Sequence, residues 1–468
     1  MLLLALHGCM VGPNYRQPET PVPSGWIEAS EDAEAQAPLD LSRWWTVFND
    51  PQLDSLIRRA ILFNKDLKAA EARIREARAQ RGLIAAGLYP HVDASGSYSR
   101  SRTSGNAQSG SSRAGGEVND KDLFEAGFDA GWEIDLFGGT RRQVEAANAD
   151  IQASRESRRD LLVSLLAEVS RDYLQIRGNQ LRLDIARRNI ASQQHTLELV
   201  KTRYEAGLSS ELDVAQAKAQ LSSTEAQVPL LEAEMRQAVY RLGVLLAQHP
   251  GEILDELSKE APIPATPPEV PAGLPSDLLR RRPDIRLAER ELAAQTARIG
   301  VATAELFPRF SLTGALGLQS VSASDFFTSG SRFWSVGPTV RWPVFDAGRI
   351  RANIQVQNAR QEQALAQYEK AVLKSFAEVE SALVAYYREQ SARRSYAEAV
   401  DATERAVEIA NELYTQGLVD FLNVLINQRG LYQSQDQLAQ SEQRVATDLV
   451  ALYKALGGGW NPDSPDGN

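Results

Sequence analysis

Between Leu123 and Phe137 the chain alternates. Every second residue from Phe124 is apolar: Phe124, Ala126, Phe128, Ala130, Trp132, Ile134 and Leu136. The interleaved series begins Glu125, Gly127, Asp129, Gly131, Glu133 and Asp135. A period of two predicts a β-strand with one apolar and one acidic face. Three other segments behave alike: His91 to Arg102, Arg309 to Ser320 and Arg332 to Phe345. In the last, Trp334, Val336, Pro338, Val340, Trp342 and Val344 share a face, and Ser335, Thr339 and Arg341 share the other. Each run is about ten residues, the span of a membrane β-strand. Trp132, Trp334 and Trp342 sit on apolar faces, where an aromatic girdle would lie.

Elsewhere the period is seven. Leu162, Val169, Ile176, Leu183, Ile190, Leu197 and Tyr204 form one series; Val372, Val379, Tyr386, Arg393, Val400, Val407 and Tyr414 form another, broken only by Arg393. Val214, Leu221, Val228, Met235 and Leu242 are answered by Val424, Leu431, Leu438, Val445 and Leu452. Sustained heptads predict left-handed supercoiled helices. Arg349 to Gln416 holds no Gly or Pro, so one helix of roughly 100 Å is expected there. Gly178 and Pro229 should bend or loosen the first-half helices. Gly207-Leu208-Ser209-Ser210 and Gly417-Leu418-Val419-Asp420 read as tight helix-to-helix turns, with Gly in the left-handed position and Ser210 or Asp420 as the next cap.

The chain is written twice. Asp66-Leu67-Lys68-Ala69-Ala70-Glu71 matches Asp284-Ile285-Arg286-Leu287-Ala288-Glu289, at an offset of 218 that also carries Leu88-Tyr89-Pro90 onto Leu306-Phe307-Pro308. Past the strands the offset is 210, as in Tyr204-x-x-Gly207-Leu208 and Tyr414-x-x-Gly417-Leu418. The excess in the first half lies in the Gly/Ser-rich stretch from Ser101 to Gly116, read as an exposed loop. The organisation expected is a signal-peptide remnant (1–8), a lipid-anchored extended segment (9–51), a first repeat (52–249), a Pro-rich linker without regular helix (250–283), a second repeat (284–457) and a tail (458–468).

Composition narrows the chemistry. The chain has 468 residues, 43% hydrophobic and 24% charged, with net charge -10; it is foldable and no nucleic-acid binder. His7, His91, His195 and His249 are scattered, Cys9 is the only cysteine, and neither a metal spacing nor a nucleophile motif occurs. An enzyme, a catalytic residue, a cofactor and a metal site are therefore not expected. Met1 to Cys9 reads MLLLALHGC, like the end of a bacterial lipoprotein signal, which would make Cys9 an acylated (palmitate-bearing) first residue; a fragment of an ordinary signal peptide is the bland alternative.

A soluble sheet packed on a core would alternate just as these strands do. Two facts favour lipid. The helical stripes are narrow and already used by heptad partners, so nothing remains to cover the apolar strand faces. Four strands cannot close a barrel, and an open edge is not tolerated in lipid, whereas three copies give twelve strands and twelve long helices. Glu125, Asp129, Glu133 and Asp135 would then face a wet lumen.

Residues throughout the chain carry a family likeness: Cys9-Met-Val-Gly-Pro-Asn-Tyr15, Trp44-Trp45 with Asp50-Pro51, Leu278 to Asp284 (LLRRRPD), Phe345-Asp-Ala-Gly348 and Leu456-Gly-Gly-Gly-Trp460. The sequence resembles the outer-membrane efflux protein family, the TolC-like factors, in particular the lipoprotein branch serving resistance-nodulation-division pumps. The resemblance implies a mainly α homotrimer in the cell outer membrane, with a 12-strand barrel on a 12-helix periplasmic tunnel and a mixed equatorial belt. It implies a periplasmic adaptor and an inner-membrane pump as partners. It also implies a gate. Leu422 matches an apolar constriction, Asn423 and Ile426 occupy positions that are aspartate in some relatives, and Asp213 and Tyr414 match a pair linking neighbouring hairpins. Val419 stands where some relatives have a linking arginine, so an acidic, metal-binding ring is not implied. Gly207, Leu208, Gly417 and Leu418 match adaptor-docking tips. Plain packing of Leu422 and Ile426 between helices, or plain hairpin geometry at the glycines, would leave the same residues in place. Two rival functions fit parts of the pattern: a lipid-anchored periplasmic scaffold or adaptor without a channel, and a conduit for secreted proteins.

Overall fold

A computed structural model describes residues 10–28, 41–102, 104, 120–270 and 273–461. Cys9 and most of the Ser101 to Gly116 stretch lie outside them. Ten helices are labelled here in chain order: α1 (Pro51–Phe63), α2 (Lys65–Ala86), α3 (Gly139–Glu205), α4 (Glu211–Glu225), α5 (Gln227–Leu246), α6 (Pro250–Leu257), α7 (Pro275–Arg281), α8 (Pro283–Ala304), α9 (Arg349–Thr415) and α10 (Phe421–Ala455). The strands are β1 (His91–Ser101), β2 (Lys121–Ile134), β3 (Arg309–Ser320) and β4 (Arg332–Arg341). The residues divide into two compact units.

The first unit draws on Met1–Pro18, Ile74–Ser154 and Ala288–Tyr368. Its centre is one antiparallel sheet in the order β1-β2-β3-β4. Register sets the faces, because directly paired residues point the same way. Phe128 pairs with Ala94 and Leu316, and Leu316 with Trp334, so one row crosses all four strands on the apolar face. Tryptophans tie the sheet to the helices that feed it. Trp132 Nε1 donates to the Leu88 carbonyl at 3.0 Å, and Trp342 Nε1 donates to the Leu306 carbonyl at 3.0 Å, the same bond in both repeats. The first described residues run as a strap over α3 and α8. Buried Arg142 donates to the Val11 and Gly12 carbonyls and to Asn14 Oδ1. A Cβ at Gly12 would fall 2.4 Å from the Gly300 Cα, so only glycine permits that approach.

The second unit draws on Glu19–Arg73, Arg155–Leu287 and Glu369–Asn468. Here the heptad positions are core. Val169, Ile176, Val379 and Tyr386 are buried, although Tyr204, last of its series, is 45% exposed. A second core gathers Trp44, Trp45, Phe48, Leu53, Leu56 and Ile57, with Trp44 stacked on Tyr453 at 5.3 Å between ring centroids. Asp50 accepts from the Gln52 and Leu53 amides, capping α1, and from the Tyr173 hydroxyl at 2.5 Å. Trp460 lies under the guanidinium groups of Arg159 and Arg286 at 4.5 and 5.3 Å. The quoted dipeptide and C-terminal motif are thus core packing.

Several expectations change. The linker is partly helical: α6 and α7 start at Pro250 and Pro275, where proline's missing N–H is not needed. Between them the chain is extended, with Gln390 Nε2 donating to the Pro268 carbonyl at 3.0 Å. Gly178 does not loosen α3, which is continuous for 67 residues; a Cβ there would strike the Gln443 side chain, so Gly178 admits a close crossing of α10. Pro229 acts as expected. It cannot donate to the Glu225 carbonyl, and the hydrogen-bonded helix is interrupted between α4 and α5 while Ala226 keeps a helical φ of -65°.

Candidate functional site

Two regions carry the residues singled out by the sequence. The first is the sheet. Glu125, Asp129 and Glu133 lie on β2 and face away from the apolar row. Asp129 pairs directly with Asp93 of β1, a carboxylate that the β2 pattern alone did not reveal; the polar odd positions of β1 are its signal. Like charges directly opposite repel, and the Ser95 hydroxyl, donating to Asp129 at 3.2 Å, lends one hydrogen bond to the site. Asp135 does not belong with these three. It lies just past β2 and accepts from the Thr140 amide at 3.1 Å and the Arg141 amide at 2.9 Å, and it pairs with the Arg141 guanidinium. The strand ends at Ile134, three residues short of the alternation's end at Phe137, and the carboxylate caps the start of α3 instead. A cavity of about 620 Å³ opens at this strand-to-helix junction, lined by His91, Glu133, Asp135, Glu305 and Arg309 among others.

The opposite face is open. Phe128, Leu316 and Trp334, adjacent across three strands, are 59, 61 and 75% exposed, and Val336 and Val340 continue the patch. Single exposed apolar residues are ordinary, but a contiguous patch across a sheet marks a surface that meets lipid or protein. No helix among the described residues is long and apolar enough to cross a membrane.

The second region is the pair of helical tips in the second unit. Gly207 and Gly417 both have φ +75°. Leu208 N donates to the Arg203 carbonyl and Gly207 N to that of Tyr204; Leu418 N and Gly417 N do the same to Leu413 and Tyr414. These are Schellman closures, which favour glycine in the left-handed position. Leu208 and Leu418 are 68 and 66% exposed.

Ser210 caps α4 in a capping box with Asp213. Asp213 accepts from the Ser209 hydroxyl, the Ser210 hydroxyl and the Ser210 amide at 2.9, 2.9 and 3.0 Å. Burial raises its pKa, but these bonds outweigh burial and hold it below the ordinary aspartate value. Asp420 holds the matching position before α10 without a side-chain cap bond.

No hydrogen bond joins Asp213 to Tyr414 within the chain. Tyr414 packs against Phe421 at 5.6 Å, lies under Arg203 at 4.8 Å, and has a buried hydroxyl with no hydrogen-bond partner. Arg203 also donates to the Thr415 carbonyl at 3.2 Å. It was not evident from sequence, because heptad position says nothing of which arginine reaches from one hairpin to the other. Leu422, Asn423 and Ile426 share one exposed face of α10, while Phe421, Val424 and Leu425 enter the core with Leu197, Val200 and Leu221. Leu422 and Ile426 do not pack between helices of one chain: they are 51 and 57% exposed. No group of His, Cys, Asp or Glu among the described residues is arranged to hold a metal.

The family model for outer membrane efflux protein matches residues 56–248 and 274–458. The chain belongs to that family. It is 36% identical over 426 residues to the pyoverdine export outer membrane protein OpmQ of Pseudomonas aeruginosa, covering 91% of this chain and 89% of the relative. It is 34% identical to the solvent efflux pump outer membrane protein SrpC of Pseudomonas putida, covering 98% and 97%. Its fold superposes on the outer-membrane channel OprN with a TM-score of 0.88 at 39% identity, over 96% and 99% of the two chains. The chain is thus an efflux channel protein of the outer membrane, not an enzyme. The scaffold without a channel and the protein-secretion conduit fall away.

Proposed function

We propose that three copies of this chain form one conduit that carries small toxic molecules, antibiotics or solvents among them, from the periplasm to the exterior. The observation that carries this is the sheet: four strands of 10 to 14 residues with an exposed apolar row and two open edges, β1 and β4. In lipid such edges must be paired, and β1 of one copy can pair with β4 of the next to close a 12-strand barrel. Glu125, Asp129, Glu133 and Asp93 then face the lumen and keep it wet. The helices α3, α4, α5, α9 and α10 supply a periplasmic tunnel. Its closed end is a plug of Leu422 and Ile426 with Asn423 beside them, and Asp213 and Tyr414 act at the same tips.

Energy comes from other chains. A periplasmic adaptor docks on the exposed tips at Gly207-Leu208 and Gly417-Leu418, and an inner-membrane pump of the resistance-nodulation-division class loads the cargo. Relatives named for pyoverdine export and solvent efflux support a small-molecule cargo. Acylation at Cys9 adds a lipid anchor to the barrel's own hold on the membrane. The test is envelope fractionation of a Cys9→Ala variant carrying a cleavable signal, followed by an alkaline wash. The barrel reading expects retention in the outer membrane and a trimer-sized band in mild detergent; release as a folded soluble protein overturns it.

A further inference from the structure

The inward face of the sheet carries bases as well as acids, and the two are sorted. The acids, Asp93, Glu125, Asp129 and Glu133, all stand on β1 and β2. On β3 and β4 the same face is uncharged except at one end, where Arg309 pairs directly with Arg341. Directly paired residues point the same way, with Cβ atoms about 5 Å apart. Arg309 opens β3 just after α8, and Arg341 closes β4 before α9, so the pair stands at the helix end of the sheet. Two guanidinium groups at this spacing repel each other unless an anion lies between them. The nearby carboxylates are already engaged. One further step of the β2–β3 register would set Asp135 opposite Arg309, but Asp135 is held by the α3 amides and Arg141. Glu305, one helical turn earlier, pairs with Arg349 at 3.5 Å. Among the described residues neither Arg309 nor Arg341 has an ion pair or a side-chain hydrogen bond, and both are exposed.

We infer that Arg309 and Arg341 form an oxyanion site at the foot of the lumen, which takes the carboxylate, phosphate or sulfonate of an organic anion in transit. This rests on the barrel reading above. Each guanidinium presents a planar fork of donors that matches two oxygens of such a group, and two adjacent forks can hold one group from both sides. Arg309 also lines the cavity of about 620 Å³, together with Leu83, Ile84, Tyr89 and Leu136. That wall suits an apolar body behind the anionic head. Glu133 faces the same cavity and repels the anion, so the site holds its ligand weakly. Weak holding is what conduction needs, since a ligand must enter and also leave. In the proposed ring of three copies, acidic β1–β2 sectors and basic β3–β4 corners would alternate around the lumen.

The test is block of single-channel current in planar bilayers by citrate, added on the exterior side of the purified full-length protein. Citrate should block the wild type reversibly. Arg309→Gln with Arg341→Gln should raise the half-blocking concentration about tenfold, the loss expected when charge-assisted hydrogen bonds are removed. Arg309→Lys with Arg341→Lys keeps the charge and deletes the forks, and its half-blocking concentration should fall between the two. Equilibrium dialysis of labelled citrate against the detergent-solubilised protein should give the same ranking without conduction. A wild type that citrate neither blocks nor binds overturns the site, as does equal block of the wild type and the Gln variant. If the Gln variant weakens the trimer but leaves block unchanged, the arginines serve a carboxylate of the next copy, and the site is overturned. A Lys variant equal to the wild type replaces the two-forked site with a diffuse positive field and overturns it too. Normal retention in the outer membrane with unchanged block removes the site alone; release as a folded soluble protein removes the barrel reading and the site together.

Discussion

Asp213 and Asp448 show how one residue type can be pushed either way. Asp213 is held ionised by three donors of its own cap. A lowered carboxylate pKa stabilises the fold above the unfolded value near 3.8, and this contribution is lost as pH falls through that range. Asp213→Ala removes the box, and we expect it to cost about 1 kcal/mol, read as an earlier denaturation midpoint at pH 7 whose deficit shrinks near pH 3. Asp448 goes the other way. Burial first, then the nearby Glu389 carboxylate, push it to about 6, against the opposing pull of Arg444. Its folded form holds the proton more tightly than the unfolded chain does, so its contribution is full below about pH 4 and fades as pH rises toward 6. Asp448→Asn should therefore flatten the pH dependence of the melting temperature between 4 and 6 and raise it at pH 7; an unchanged profile would show that the site is wetter than its burial implies. The Ser210 cap was legible in the sequence because its partners are three residues apart. Asp448 was not, since its environment is made by α9 and α10 meeting across 59 residues of chain.

At the scale of elements, pattern located almost every piece and missed what joins them. The continuous helix from Arg349 ends at Thr415 as the lack of Gly and Pro requires. The four strands appear within a few residues of their periodic runs, save that Asp135 is a cap. The linker was misread because proline count was taken as a bar to helix, whereas Pro250 and Pro275 sit where helices begin. The junction bonds were illegible: Trp132 and Trp342 looked like girdle residues, and nothing in a period of two shows an indole N–H reaching a carbonyl before the preceding strand. Trp132→Phe keeps the ring and deletes that donor, leaving the Leu88 carbonyl without it. The loss should be about 1 kcal/mol, seen as a lower melting temperature in mild detergent, with Trp342→Phe matching it. The tips allow a cleaner test. A Cβ at Gly207 or Gly417 meets nothing within 4 Å, yet φ is +75° at both. Gly417→Ala should thus cost about 1 kcal/mol from backbone strain alone, measured as a lower melting temperature, with Gly207→Ala equal to it.

For the whole molecule, the question is what the exposed stripe on α10 does when chains assemble. Phe421, Val424 and Leu425 already saturate the core of their own tip. Leu422 and Ile426, one turn apart on the other side, have no cover in one chain. In the proposed ring of three copies, inward-facing side chains at the same height would converge, and an apolar ring with no lumen charge beside it would keep water and solutes out by dewetting. Asn423 on that face adds no charge, so closure there, as proposed, would need no cation. Leu422→Ala with Ile426→Ala widens the ring and leaves the tip core untouched. The expected outcome is a cell more sensitive to vancomycin, which is too large for ordinary porins, at normal expression and with a normal trimer band. The single-channel conductance of the purified double variant in planar bilayers should rise in step. Unchanged sensitivity and conductance would move the closure away from α10, to the contacts that Arg203 makes with Tyr414 and Thr415, and Arg203→Ala would then be the variant that opens the end.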